Sequence, residues 1–283
     1  MAVKPRIAIV GPGRLGSALA LELTRAGYRV SAIVSGNSSA SRQRARVLAR
    51  QVSAPWSAPD APFDCDLLWF CVPDREIARA ARQLATRVEW KGKIALHSSG
   101  ALASDELKAL RRRGASVASV HPLMTFVRGS DPSLKGVPFG LEGDPAALRV
   151  ARKIVRDLGG EAFSISKNSK SAYHAWGAFT SPLLIALLVT AEKVARAAGL
   201  STTEARRKMM PILRQTLANY ARLGPAGALS GPIVRGDAQV VRQHLSELKK
   251  IPGAGEVYTA LARATLLYLP AGRRKELEQL LRK

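Results

Sequence analysis

Lys170 and His174 stand four residues apart in Lys167-Asn168-Ser169-Lys170-Ser171-Ala172-Tyr173-His174, a spacing that puts both on one face of a helix. A lysine or histidine with a tuned pKa can give or take a proton beside a carbonyl or an imine. On residue type alone the pair serves equally well as ordinary decoration of a helix start. Two other clusters carry hydrogen-bond donors: His97-Ser98-Ser99-Gly100 and Val120-His121-Pro122-Leu123-Met124-Thr125-Phe126. Each follows an apolar run that reads as a strand, and ligands in open parallel sheets lie beyond the carboxyl ends of the strands. Ser98, Ser99, Gly100 and His121 are therefore candidates to hold a substrate. His244 falls mid-helix and reads as structural, and Asp74, after Cys71-Val72-Pro73, reads as a helix cap rather than a catalyst. No metal site is expected.

The chain opens with an apolar strand, Arg6-Ile7-Ala8-Ile9-Val10, then Gly11-Pro12-Gly13-Arg14-Leu15-Gly16, then the helical pattern Ser17-Ala18-Leu19-Ala20-Leu21-Glu22-Leu23. A G-x-G-x-x-G between strand and helix is the dinucleotide fingerprint. Gly11 makes the turn, Gly13 lets the backbone approach a pyrophosphate, and Gly16 lets helix and strand pack closely. The amides of Gly13, Arg14, Leu15 and Gly16 at the helix start then face the phosphates. Val72 and Pro73, ending the fourth strand, would line the same crevice. The second strand closes Ile33-Val34-Ser35-Gly36-Asn37-Ser38-Ser39 with no carboxylate, and Arg42 and Arg44 follow. An acid there holds the ribose hydroxyls of NAD, whereas its absence with a nearby Arg suits the extra phosphate of NADP. The expected cofactor is NADP(H), with Ser35 and Arg42 flanking that phosphate.

Strand patterns at Ile7–Val10, Arg29–Val34, Asp66–Val72, Lys93–His97, Ser116–Val120 and Pro138–Glu142 alternate with helices at Arg14–Ala26, Ser41–Gln51, Asp74–Thr86, Ser104–Arg113 and Pro145–Leu158. This alternation predicts an α/β fold, a doubly wound parallel sheet covered on both faces. Ser104-Asp105 offers cap chemistry for its helix, and a short strand, Ala162–Ser166, follows Gly159-Gly160. Beyond Ser166 the pattern is helical only. Ser181-Pro182 reads as a cap with proline at the first helical position, opening an apolar helix to about Ala198. Ser201-Thr202-Thr203-Glu204 is a capping box, opening a helix to about Leu223 that Pro211 is expected to kink. Asp237 is expected to cap Ala238–Lys250, and helices near Gly255–Leu269 and Ala271–Leu281 end the chain. Two domains are predicted, a nucleotide-binding domain over 1–166 and an all-helical domain over 167–283.

The net charge is +23, from 44 Lys plus Arg against 21 Asp plus Glu. The arginines are dispersed along helix faces without interleaved aromatics, which argues against nucleic acid as the main partner and for a preference for anionic ligands. The two cysteines, Cys65 and Cys71, fit a reducing cytoplasm better than a disulfide framework. Lys4, Pro5 and Arg6 interrupt any secretory core at the start. The most apolar stretch, Phe179–Val194, is broken by Ser181-Pro182 and carries Glu192 and Lys193, so it reads as a buried helix rather than a membrane span.

Several segments together resemble a bacterial group of oxidoreductase-like proteins that join a Rossmann-like domain to a DUF2520 domain. They are Gly11–Gly16, Leu96-His97-Ser98-Ser99-Gly100-Ala101, Ser119–Phe126, Gly136-Val137-Pro138-Phe139, Tyr173-His174-Ala175 and Ala228-Leu229-Ser230-Gly231-Pro232-Ile233-Val234-Arg235-Gly236-Asp237. More distantly, the layout is similar to the 6-phosphogluconate and β-hydroxyacid dehydrogenases, pyrroline-5-carboxylate reductase and prephenate dehydrogenase. The resemblance implies an NADP(H)-dependent oxidoreductase acting on a small anionic hydroxy acid, keto acid or imine. It implies acid/base chemistry at Lys170 or His174, and a homodimer formed through the helical half. Where related chains carry Ser-Asn, this one has Ser181-Pro182, and proline offers no amide to orient a substrate. The alternative is a non-catalytic NADP-binding sensor or partner protein, which needs the glycine turn but no acid/base.

Overall fold

The computed structural model describes residues 4–58, 60–61, 63–87, 89–127, 129 and 133–282. Met1–Val3, where the leader reading begins, lie outside them. The chain divides into two compact units, Met1–Ala178 and Phe179–Lys283. The residues opening the expected helical domain, from Lys167 to Ala178, therefore cluster with the sheet.

The first unit is built on one eight-stranded sheet in the order β3-β2-β1-β4-β5-β6-β7-β8. The strands are β1 (Ile7–Val10), β2 (Val30–Val34), β3 (Trp56–Ser57), β4 (Leu67–Phe70), β5 (Ile94–His97), β6 (Ser116–Pro122), β7 (Pro138–Gly143) and β8 (Glu161–Ser164). The first six run parallel in the doubly wound order, so the strand order reverses between β1 and β4. β1 and β4 are buried at every position, as continuous apolar runs in a sheet covered on both faces must be. One core packs α1 (Arg14–Arg25), α2 (Ser39–Gln51) and α5 (Pro145–Asp157) through Leu19, Leu23, Leu48 and Ile154. The other packs α3 (Asp74–Leu84) and α4 (Lys108–Arg111) through Ile77, Leu84 and Leu110.

Three expectations are corrected here. β7 pairs antiparallel with β6. A parallel return needs a crossover, usually helical, and the connection 123–137 holds no helix among its described residues. Ser104 does not cap its helix. It sits in a 3-10 turn, Ser104–Leu107, where its amide and hydroxyl both donate to the buried Glu142 carboxylate, at 2.8 and 2.7 Å. Asp74 is the first helical residue of α3 and makes no cap bond; its carboxylate accepts from Ser99 Oγ at 2.9 Å.

In the second unit α7 (Pro182–Ala197) lies along α8 (Thr202–Ala228), joined by the Arg206–Glu192 ion pair at 2.8 Å. The capping box of Ser201 and Glu204 forms as expected. The break in α8 comes at Gly224 (φ 70°), just before Pro225, and not at Pro211. Gly224 accepts a left-handed backbone, whereas Pro211 sits within continuous helix. Short α9 (Pro232–Arg235) precedes α10 (Ala238–Leu248), α11 (Ala254–Tyr268) and α12 (Arg274–Leu281), which share a small core of Val241, Ala262, Leu266, Leu277 and Leu281. Asp237 precedes α10 but bonds Arg235 Nε at 2.8 Å instead of the helix amides.

The buried-helix expectation for Phe179–Val194 fails. Phe179 is 71% exposed and Ile185 58% exposed, and Glu192 is the buried residue of α7. The apolar residues lie all round this helix, so packing on α8 leaves many of them uncovered. By length and composition alone the stretch Lys167–Ala197 is long and apolar enough to cross a membrane. Its first turn, however, carries the charged, buried Lys170.

Candidate active site

The turn after β1 shows why three glycines stand where they do. Gly11 has φ 100°, and a Cβ there would lie 2.8 Å from the Cys71 carbonyl oxygen. A Cβ on Gly16 would lie 2.1 Å from the Gly11 carbonyl oxygen. Both positions are closed by the protein itself. Gly13 differs: its nearest neighbour would be the Cys71 carbonyl oxygen at 3.9 Å. Open space thus remains beside Gly13, where a ligand's backbone-hugging group would fit. The first bond of α1 runs from the Ser17 amide to the Gly13 carbonyl at 2.9 Å, so the amides of Gly13, Arg14, Leu15 and Gly16 precede the intrahelical ladder. No acid sits in that first turn to oppose an anion.

This turn is one wall of a groove of about 500 Å³. Gly11, Gly13, Ser35, Val72 and Pro73 line it as the sequence predicts. Arg44 lines it too, whereas Arg42 borders a separate depression with Gln43 and Arg46. Two residues on a helix span about 200°, so Arg42 and Arg44 point to opposite faces of α2. Arg79 of α3, which pattern reading left on a solvated face, reaches the groove from the other side, paired with Glu76. The Ser35 hydroxyl accepts from Trp56 Nε1 at 3.0 Å, and Arg46 stacks on that indole at 4.7 Å. β3, which no pattern announced, supplies this support.

Beyond the ends of β5 and β6 lies a buried polar centre. The His97 ring is fully buried; Nδ1 accepts from the Ser99 amide at 3.1 Å, which leaves Nε2–H to donate to the Ala103 carbonyl at 3.0 Å. Burial pushes its pKa down to about 4, so the ring is a neutral brace for the loop. Ser98 Oγ accepts from Trp69 Nε1 at 2.8 Å. Ser99 Oγ donates to Asp74 and accepts from the amides of Ala101 and Leu102, at 3.2 and 2.9 Å. Both serine hydroxyls expected to face a substrate are thus already engaged in shaping the turn.

Lys170 opens α6 (Lys170–Thr180) and is 2% exposed. Its ammonium donates to the Ser99 carbonyl and to Ser119 Oγ, each at 2.7 Å, and Ser119 Oγ lies 3.1 Å from the same carbonyl. An ammonium has three protons, so one remains for another acceptor. Burial brings the Lys170 pKa down to about 8, while Glu142 and Asp74 hold it up. The flanking network fixes the helix start: Lys167 pairs with Asp105, and Arg111 forks onto Asp144 at 3.0 and 3.1 Å.

His121 Nδ1 lies 2.8 Å from the Tyr173 hydroxyl, and its ring stands edge-on to Tyr173 and His174 at 5.4 and 6.5 Å. Burial first, then the charge of Lys170, lowers its pKa to about 4. A Cβ on Gly100 would lie 2.9 Å from His121 Nε2 and 2.8 Å from His174 Cδ2, so a glycine is required where the two rings converge. Ser98, Ser99, Gly100, His121, Lys170 and His174 therefore meet in one place. Lys170 is buried there and His174 is exposed.

Sequence reading missed Ser119, Tyr173 and Glu142. Ser119 is two residues from His121, hence on the same strand face. Tyr173 is three residues from Lys170, hence on the same helix face. Glu142 is a lone acid in an apolar strand and must find partners when buried. Among the described residues no group of acids, histidines and cysteines could hold a metal ion.

Residues 2–122 match the family model of a Rossmann-like domain, and residues 137–265 match DUF2520, a domain of unknown function. No curated protein matches the chain by sequence. A solved structure from Bacteroides fragilis, assigned as an NADP oxidoreductase, is 21% identical with a TM-score of 0.75, over 92% of this chain and 97% of that one. A Thermotoga maritima protein is 26% identical with a TM-score of 0.72, over 98% and 100%. The imine reductase of Myxococcus stipitatus in complex with NADP+ is 19% identical with a TM-score of 0.64, over 98% and 100%. At these identities the first and third likenesses bear on the fold.

Proposed function

Since the chain belongs to the proteins that join a Rossmann-like domain to a DUF2520 domain, we propose that it is an NADP(H)-dependent oxidoreductase acting on a small anionic hydroxy acid, keto acid or imine. The observation that supports this most is the ammonium of Lys170. It is held at 2.7 Å by the Ser99 carbonyl, just past β5, and by Ser119 Oγ of β6, in the same sheet whose turn after β1 forms the glycine cradle. The NADP+ bound by the Myxococcus imine reductase, and the NADP oxidoreductase description of the Bacteroides protein, agree with this reading.

Gly13 and the amides at the start of α1 would hold the pyrophosphate, and Gly11 and Gly16 would keep the turn tight enough to do so. Arg44 with Ser38 and Ser41 would hold the extra phosphate of NADP, with Arg79 opposite. A nicotinamide held by these residues would supply or accept the hydride. Lys170 would then give its proton to the substrate oxygen or nitrogen in reduction, or receive it in oxidation. Its lowered pKa keeps both forms accessible near neutrality. The neighbouring donors favour a substrate that brings negative charge.

The commitment of the Ser98 and Ser99 hydroxyls to the turn favours one second reading, a non-catalytic NADP-binding sensor. NADPH oxidation screened against keto acids, hydroxy acids and cyclic imines separates the two. In the enzymatic case Lys170→Ala abolishes turnover while NADPH still binds; turnover unchanged by that substitution removes Lys170 from the mechanism. We also propose that a second copy covers the exposed apolar residues of α7 and α8, among them Leu183, Ile185, Ile212 and Leu217.

A further inference from the structure

The Tyr173 hydroxyl and His121 Nδ1 are 2.8 Å apart, and such a pair can share its proton in two ways. In one, the phenol donates to Nδ1 and the single ring proton of neutral His121 resides on Nε2. In the other, Nδ1–H donates to the phenol oxygen and Nε2 is a bare lone pair, ready to act as a base. The choice decides what His121 offers to anything that enters beside Gly100.

We propose that Tyr173 is a positioning residue: its phenol donates to His121 Nδ1 and thereby fixes His121 as an Nε2–H donor for an acceptor oxygen of the substrate. The word substrate rests on the oxidoreductase reading; the proton arrangement does not. Tyr173 is 7% exposed and packed on Gly140, where a Cβ would meet its Cζ and hydroxyl at 2.9 Å, so the phenol cannot swing away. Burial pushes its pKa up to about 12, against the pull of the Gly140 amide, so it keeps its proton to give. A phenol is also the stronger donor of the two, and imidazole nitrogen the stronger acceptor.

The surroundings oppose His121 as a base. A base must become imidazolium, and the groups around the ring are Lys170, whose ammonium is 5.9 Å from the Tyr173 ring, together with His174 and His97. Glu142 and Asp74, the acids nearest the centre, are already bonded to Ser104 and Ser99. Among the described residues His121 Nε2 has no hydrogen-bond partner, and it lies 2.9 Å from where a Gly100 side chain would begin. The arrangement divides the work: His121 donates without changing charge, and Lys170 moves the proton.

Ring-nitrogen NMR on the 15N-labelled full-length protein tests this without any turnover, with His121→Asn identifying the signals. The expected result is an Nε2-protonated tautomer in the native protein. In Tyr173→Phe the titration midpoint of His121 should rise by about one pH unit, because a bond donated to the neutral ring is lost. A native Nδ1-protonated tautomer overturns the proposal, as does a midpoint that stays or falls in the variant. If Tyr173→Phe does not fold, the native tautomer alone decides. Failure of the screen for NADPH oxidation would leave this result standing, so the two readings fail separately.

Discussion

Lys170 Nζ donates to the carbonyl oxygen of Ser99 at 2.7 Å, which ties the first turn of α6 to the loop after β5. The ammonium thereby replaces the water that a backbone carbonyl at a strand end would otherwise bind. Its pKa of about 8, lowered chiefly by burial, sets the pH behaviour of any proton transfer. Below pH 8 the group is protonated and can donate. Reduction is therefore expected to fall tenfold per pH unit above about 8, and oxidation to rise as pH approaches about 8 and to level off above it. Initial rates of NADPH consumption and of NADP+ reduction between pH 6 and 10 check this. A profile flat through pH 8 in both directions excludes Lys170 as the acid.

The glycine turn predicts two opposite outcomes from the same substitution. Gly13→Ala meets nothing nearer than 3.9 Å, so the protein folds with unchanged melting temperature, but the methyl group enters the space beside the amides. NADPH affinity should drop by about tenfold or more, equivalent to about 1.4 kcal/mol. Gly16→Ala drives a Cβ to 2.1 Å from the Gly11 carbonyl and should destabilise the fold itself. Calorimetry and NADPH titration on both variants check the contrast; equal loss of stability in both would remove the cradle interpretation of Gly13.

Much of this was legible in the chain. The alternation of apolar runs and amphipathic stretches located β1, β2 and β4 to β8, most plainly β1 and β4, which are apolar and buried at every position. The glycine spacing located the groove, and the strand ends located His97, His121 and the serines. What stayed hidden depends on long-range pairing. Ser104 looked like a cap because Glu142, 38 residues away, could not be seen to claim its hydroxyl. Asp74 looked like a cap because Ser99 was not yet beside it. Two-residue β3 is too short to show a period. The exposed α7 misled for another reason: apolar composition tells that a helix wants cover, and not which surface provides it.

His97 and His121 both carry folded pKa values of about 4, below the ordinary 6.5. Between those limits the unfolded chain binds more protons than the folded one, so stability rises with pH across this window. The contribution is complete above pH 6.5 and is lost as pH falls towards 4. His97 and His121 contribute similar shares, each about 3 kcal/mol for a shift of this size. Urea midpoints measured from pH 4 to 7 should fall on the acid side, and His97→Gln should flatten that slope. A slope identical to the native protein's would show that other groups govern it.

Arg44 and Arg42 offer a test of how the cofactor is chosen. Arg44 lines the groove and Arg42 does not. Arg44→Ala should weaken NADPH binding by about tenfold to a hundredfold, the loss of one or two charge-assisted bonds to a phosphate, and leave NADH binding nearly unchanged. Arg42→Ala should change neither. Binding isotherms for both cofactors on both variants read this directly. If Arg42→Ala is the damaging change, the extra phosphate lies on the outer side of α2.

The exposed apolar residues of α7, α8 and α11, with Phe179 at the end of α6, predict self-association. Phe179, Ile185, Ile212, Leu217, Leu267 and Tyr268 are each more than half exposed, which is costly for a protein standing alone in water. Burying a large side chain of this kind returns about 1.5 to 3 kcal/mol, so a few such residues suffice for a stable pair even after the entropy of association is met. Light scattering on the native protein should give twice the chain mass. The double substitution Ile185→Glu with Leu217→Glu should yield monomers, because each carboxylate would have to be desolvated at the interface without a partner. A native protein that runs as a monomer at micromolar concentration rules out a second copy as the cover.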